Sequence, residues 1–149
     1  AYRGLGDEEK AKVCFEKATV GSAEPQQAFY YNDQQPDKIF YQGLAWRALG
    51  DENRARGCFN KLIKHGEKHL FDTCRIDYFA VSLPDLAIWE DDLNKRNRIH
   101  CNYVMGLGYL GLDEISEAAG FLDKVIELDT NHQGAQIHRS LILISSTSL

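Results

Sequence analysis

The chain has 149 residues, 44% of them hydrophobic and 26% charged, with a formal net charge of −5 at pH 7. That length suits one domain, and a compact chain of this size buries roughly two thirds of its unfolded surface. The acidic balance, with no stretch concentrating Lys and Arg, speaks against a general binder of phosphate backbones, and no apolar run approaches the roughly 18 residues that a membrane helix needs.

Residues 1–17 return as residues 45–61, with identity at Ala1 and Ala45, Arg3 and Arg47, Leu5 and Leu49, Gly6 and Gly50, Asp7 and Asp51, Glu8 and Glu52, Ala11 and Ala55, Cys14 and Cys58, Phe15 and Phe59, and Lys17 and Lys61. These positions read as the end of a first helix (Tyr2 or Trp46, then Leu5 or Leu49), a tight turn, and the inner face of a second helix (Ala11, Phe15 and Ala18; Ala55, Phe59 and Leu62). The pattern predicts a helical hairpin. Gly6 and Gly50 reach the left-handed region where the first helix stops, without a Cβ clash. Asp7 and Asp51 follow as N-caps, with acidic or polar residues in the first turn where the helix dipole favours them. A small Ala sits at the close helix crossing, and Phe, four residues on, fills the gap beyond.

A third copy is legible in Gly106, Tyr109, Leu112, Ala118, Leu122 and Val125, closing on residues 127–131. Asp113 stands there in place of the turn glycine. These residues resemble the tetratricopeptide repeat, a helix-turn-helix unit of about 34 residues that stacks into a solenoid. Residues 39–65 carry the resemblance most completely, through Gly43, Trp46, Ala55 and Phe59; Thr130 replaces the proline that usually closes the unit. The resemblance implies an all-α helix-turn-helix solenoid. Its parts are a partial repeat at residues 1–20, an insertion at 21–38, a repeat at 39–65, an insertion at 66–92, a repeat at 93–131, and a capping helix and tail at 132–149. The chain starts within what reads as a first helix, so a fragment of a longer protein is expected. In the cap, Ala135, Ile137, Leu141 and Ile142 are expected to cover the last hairpin, and the polar residues 145–149 to fray.

The two insertions lengthen the spacing from Ala11 to Ala55 and from Ala55 to Ala118 beyond that of a strict array. Such extra residues usually fall on one face of a solenoid, often the binding face. The first is punctuated by Pro25 and Pro36 and carries Phe29, Tyr30, Tyr31, Asn32 and Asp33. Its aromatics either plug the groove between hairpins or present rings and hydrogen-bonding groups to a ligand. The second predicts a short helix over residues 84–90, with Pro84 in its first turn. Phe79, Val81, Leu86, Ile88 and Trp89 are too apolar to be left in water, so that segment packs on the solenoid or on another chain.

Ionisable groups give weaker signals. Glu90, Asp91 and Asp92 read as capping the helix that begins near Leu93. His65 and His69 stand at i, i+4, a spacing that binds metal only when a third ligand converges, and no metal site is assigned. Asp77, Asp85 and Glu90 offer carboxylates, but nothing in their spacing sets two of them opposite each other. No nucleophile stands in a catalytic context and no glycine-rich phosphate loop is present, so no catalytic residue and no cofactor are assigned. Cys14, Cys58, Cys74 and Cys101 have no metal or disulfide spacing; Cys14 and Cys58 read as small buried hydrophobes, and a reducing, cytoplasmic compartment is expected.

In tetratricopeptide proteins the first helix of each hairpin lines a concave surface on which a partner segment lies. The resemblance implies that Phe40, Leu44 and Arg47, with Tyr103, Leu107 and Leu110, line that surface here. These positions are mostly apolar, unlike the Lys and Asn clamp by which one subclass grips a terminal carboxylate. The expected function is a non-catalytic interaction scaffold whose partner is a protein, a peptide or a second copy of the chain, with Tyr30, Tyr31, Asn32, Asp33, Phe79 and Trp89 as further ligand or interface residues. A narrower resemblance, carried by residues 30–33, 39–45, 77–85 and 91–97, is to the C-terminal repeat region of large bacterial proteins with a β-rich, carbohydrate-related domain upstream. It implies an alternative, an accessory module of a glycan-binding or carbohydrate-active protein.

Overall fold

The computed structural model describes residues 1–27, 34–74 and 92–146. A 3-10 turn, Arg3–Leu5, leads into α1, Glu8–Ala18; α2, Pro36–Ala48, pairs with α3, Glu52–His69; α4, Leu93–Gly111, pairs with α5, Ile115–Leu128; and α6, Gln133–Ser146, closes the stack. The described residues are helical or irregular, with no strand among them.

All three turns are built alike. Gly50 has φ of 85°; its N–H donates to the Arg47 carbonyl at 3.0 Å, and Asp51 N–H donates to the Trp46 carbonyl at 2.9 Å. This doubly bonded left-handed stop satisfies carbonyls that the helix end would orphan. Gly6, at φ 79°, and Asp113, at φ 64°, repeat it with the same pair of bonds. The second helix is then capped by the predicted aspartates, Asp7 accepting from Lys10 N–H at 3.1 Å and Asp51 from Arg54 N–H at 2.9 Å. Asp92 caps α4 in the same manner, through Lys95 N–H at 2.9 Å. The third hairpin has Glu114 at the cap position, and its side chain makes no such bond.

α2 begins at Pro36, with Gln35 extended before it, as expected for proline at the first helical position. The helix therefore claims three residues assigned above to the first insertion. The chain around that insertion is tied down on the helices: Gln42, 1% exposed, donates to the Val20 carbonyl at 3.2 Å, and a ring nitrogen of His100 meets the Gln26 carbonyl at 2.7 Å.

The core is continuous through α2, α3, α4 and α5 and includes Ile39, Ala55, Phe59, Leu62, Val104, Leu107, Ala118, Leu122 and Val125, all fully buried. Phe59 is gripped between two glycines. A Cβ on Gly43 would lie 2.4 Å from its ring, and one on Gly111 would lie 2.2 Å from it. Only a bare backbone lets α2 and α4 close on that ring from two sides.

Three expectations change. Cys14 and Ala18 are exposed, because among the described helices α1 packs mainly on α2, whereas α3 lies between α2 and α4 and buries Cys58. In α6, Ala135 and Ile142 are buried as expected, but Ile137 is 47% and Leu141 46% exposed. The inward stripe is Ala135, His138 and Ile142, rotated because His138 is drawn inside by hydrogen bonds. The helix also continues through residues 145 and 146 of the tail. The short helix at 84–90 and residues Asp77, Asp85, Glu90 and Asp91 lie outside the described residues.

Candidate functional site

On α2 the positions Asp37, Phe40, Leu44 and Arg47, spaced by three or four, share one face, as do Arg96, Tyr103, Leu107 and Leu110 on α4. Towards the C-terminal ends of these two helices the shared face is closed by the chain itself. Phe40 and Tyr103 are each 4% exposed, Leu107 is fully buried, and Leu44 and Leu110 are partly buried against the core. Arg47 is engaged on every side. It makes a two-pronged pair with Glu52, both contacts at 3.0 Å, donates to the Gly111 carbonyl at 2.7 Å, approaches Asp113 at 3.4 Å and lies over the Phe59 ring. The bidentate bond to Glu52 raises its pKa further and holds the Glu52 carboxyl below its usual range.

Over Phe40 and Tyr103 sits α6, through His138. Its ring stands edge-on to Phe40 at 5.3 Å and is 1% exposed. Nδ1 lies 2.7 Å from the Gly134 carbonyl, which fixes the proton on that nitrogen and leaves Nε2 to accept from the Tyr41 hydroxyl at 3.3 Å. Nδ1–H also faces the Tyr103 hydroxyl at 3.2 Å, and Tyr103 in turn donates to Asp37 Oδ1 at 2.7 Å. Four polar side chains from three helices thus form one connected chain, which sets the three rings and the carboxylate in fixed positions. Burial, and then the charge of Asp37, push the Tyr103 phenol far above its usual range, so it remains a neutral donor. His132 completes the wall: its Nδ1 accepts from Ala135 N–H at 3.1 Å, capping α6, and its ring lies 4.5 Å from that of Tyr103.

Beyond this network the shared face opens into a cleft of about 370 Å³, at the N-terminal ends of α2 and α4 and the turn into α6. Asp37, Arg96, His100, Tyr103, Asp129 and His132 line it. Tyr103 is the one residue of the expected concave set that reaches it. The remaining expected interface residues, Tyr30, Tyr31, Asn32, Asp33, Phe79 and Trp89, lie outside the described residues. Sequence reasoning missed Asp37, His132 and His138. Asp37 was within reach, since it falls three residues before Phe40 on the same stripe; the histidines carried no such signal, standing in a helix read by its aliphatic residues.

A second polar cluster lies between α3 and α4. The ring of His65 is 4.7 Å from that of His69 and 5.9 Å from that of His100, and its Nε2 is buried with no hydrogen-bond partner among the described residues. Burial first, then the neighbouring His100, His69 and Lys68, against a smaller opposing effect of Asp72, lower its pKa to about 4. His69 is held by Asp72 at 2.6 Å. Among the described residues no three His, Cys, Asp or Glu side chains converge as metal ligands. Cys101 is fully buried, and burial pushes its thiol up to about 12, which makes it a packing group rather than a nucleophile.

No helix among the described residues is long and apolar enough to cross a membrane. No solved structure matches the chain. Two family models, each described as tetratricopeptide repeat, match it, one over residues 1–19 and the other over residues 39–65. Those are the first two copies of the internal repeat, and the third hairpin repeats their turn bond for bond. The chain therefore carries tetratricopeptide repeats over these two stretches, within an all-α helical repeat solenoid.

Proposed function

We propose that this chain is a non-catalytic scaffold that holds an extended stretch of a partner polypeptide on the inner face of α2 and α4, seated in the cleft at Asp37, Tyr103 and His132. Tetratricopeptide repeats generally mediate protein–protein interaction and are typically non-catalytic, and repeat solenoids use their concave surface for it. The observation that carries the reading to this site is the preorganised chain from Asp37 through Tyr103 and His138 to Tyr41, lying at the open end of that surface. Groups held in place before a ligand arrives lower the ordering cost of binding it. With Phe40, Tyr103 and Leu107 buried, the contact surface in this reading passes to half-exposed Tyr41, to Leu44 and Leu110, and to the cleft. Tyr30, Tyr31, Phe79 and Trp89 are further contact residues of the proposal.

The test is a selection of displayed random peptides against the 149-residue chain. Binders are expected to lose roughly tenfold or more in affinity on Tyr41→Ala and Leu44→Asp, and to be indifferent to Asn60→Ala and Lys64→Ala on the outer face of α3. Failure to obtain binders, or binders sensitive only to the outer-face changes, contradicts the proposal.

A further inference from the structure

The described part of the chain contains eight aspartates: Asp7, Asp37, Asp51, Asp72, Asp92, Asp113, Asp123 and Asp129. Six have a basic partner, namely Lys10, Arg54, His69, Arg98, Arg47 and Arg139 for Asp7, Asp51, Asp72, Asp92, Asp113 and Asp123. The two that have none among the described residues are Asp37 and Asp129, and both line the cleft. Asp37 is half-buried and held by one oxygen through the buried Tyr103 hydroxyl; Asp129 holds one oxygen on Asn131 N–H at 3.0 Å. Arg96 shares the cleft and is engaged in contacts of its own.

We infer that the cleft is a pocket for a basic side chain, arginine or lysine, of the bound polypeptide, with its cation on the Asp37 carboxylate and its stem along Ile99 and His132. The inference rests on the scaffold reading and names the chemistry of the partner at this point. The physical reasons are three. A carboxylate in a half-enclosed site with no counter-ion among the described residues gains more from an incoming cation than one already paired on the surface. The Tyr103 hydroxyl occupies Oδ1 and leaves Oδ2 directed by the same fixed plane, so the pair forms without first freezing the carboxylate. The walls supplied by Ile99, Pro36 and the His132 ring suit the apolar stem of a long basic side chain, which buries its methylenes while its head group is paired.

The experiment follows the ring resonances of Tyr103 and His132 in the intact chain by NMR during titration with blocked tripeptides Ac-Gly-Xaa-Gly-NH2, where Xaa is arginine, lysine, citrulline or glutamate. Arginine and lysine are expected to give saturable shifts, roughly tenfold tighter than citrulline, the neutral isostere, and glutamate none. Asp37→Asn keeps an oxygen for the Tyr103 hydroxyl and is expected to abolish the difference between arginine and citrulline, while contacts between the Tyr103 and His138 rings report that the fold is intact. Equal binding of arginine and citrulline, tighter binding of glutamate, or no shift with any peptide overturns the inference. So does an unchanged preference in Asp37→Asn. Display-selected peptides that still depend on Tyr41 and Leu44 but bind equally well with citrulline in place of every basic residue overturn the basic pocket alone and leave the scaffold standing.

Discussion

The guanidinium of Arg47 lies 5.2 Å from the centre of the Phe59 ring and, passing over it, donates at 2.7 Å to the Gly111 carbonyl of the next hairpin. One hairpin earlier Arg3 does the same, 5.1 Å from the Phe15 ring and 3.3 Å from the Ala48 carbonyl, with Glu8 standing as Glu52 does beside Arg47. The identities that define the sequence repeat are thus also the parts of a staple between neighbouring repeats. Arg47→Ala removes a bidentate ion pair, a ring contact and a bond to a helix-end carbonyl together. It is expected to cost about 2–3 kcal/mol, with Arg47→Lys restoring less than half. Glu52→Gln alone is expected to cost far less than Arg47→Ala, as for an exposed pair. Urea unfolding of the three variants measures this; a loss under ~0.5 kcal/mol for Arg47→Ala contradicts the staple.

Phe59 and Gly111 form a matched pair. Gly111→Ala is expected to destabilise by about 1–3 kcal/mol through overpacking against the ring, although alanine is otherwise the better helix residue by roughly 1 kcal/mol. In a Phe59→Leu background the same change is expected to cost markedly less. A double-mutant cycle on urea midpoints reads the coupling, and additive losses refute the contact as its source.

Asp113 adopts the left-handed conformation that glycine supplies at the other two turns, and its ion pair with Arg47 is 77% exposed on the aspartate side. Strain of roughly 1 kcal/mol outweighs an exposed pair worth a few tenths. Asp113→Gly is therefore expected to stabilise the chain by about 0.5 kcal/mol. Its opposite, Gly50→Asp, is expected to destabilise, and the sign of the change in thermal midpoint decides both.

The His65 imidazole supplies a pH dependence. Its pKa is about 4 in the folded chain against 6.5 when unfolded. Above the unfolded value neither state is protonated and stability is unaffected. As pH falls below that value the unfolded chain takes up the proton first, so stability declines until the folded value is passed, by at most about 3 kcal/mol in all and by less for a ring that solvent partly screens. His69, His100 and Lys68 face the ring with like charge when protonated, and Asp72 opposes them. In His65→Gln the decline between pH 7 and pH 5 is expected to shrink; an identical pH profile by urea unfolding contradicts the assignment.

Much of the fold was legible because each hairpin is encoded locally. Gly50, Asp51, Ala55 and Phe59 fall within ten residues of one another and state the stop, the cap, the crossing and the filler. The cleft was not legible, because its parts lie far apart in sequence. Asp37 and Tyr103 are brought together only by the stacking of α2 on α4, and His138 enters only once α6 has turned its histidine inward. An apolar pattern placed Ile137 and Leu141 inside that helix; hydrogen bonds outweighed it by giving a buried imidazole partners at both nitrogens. The four contacts of Arg47 within the chain were equally hidden, since Gly111 and Asp113 lie more than sixty residues away in sequence.

The central claim, that the inner face of α2 and α4 receives a polypeptide, is tested most directly by mapping a display-selected peptide on the labelled chain by NMR. Shifts are expected at Tyr41, Tyr103 and His132, and along Leu44 and Leu110, with Asn60, Lys64 and Lys124 unmoved. Shifts confined to those last three, on the outer faces of α3 and α5, would contradict it.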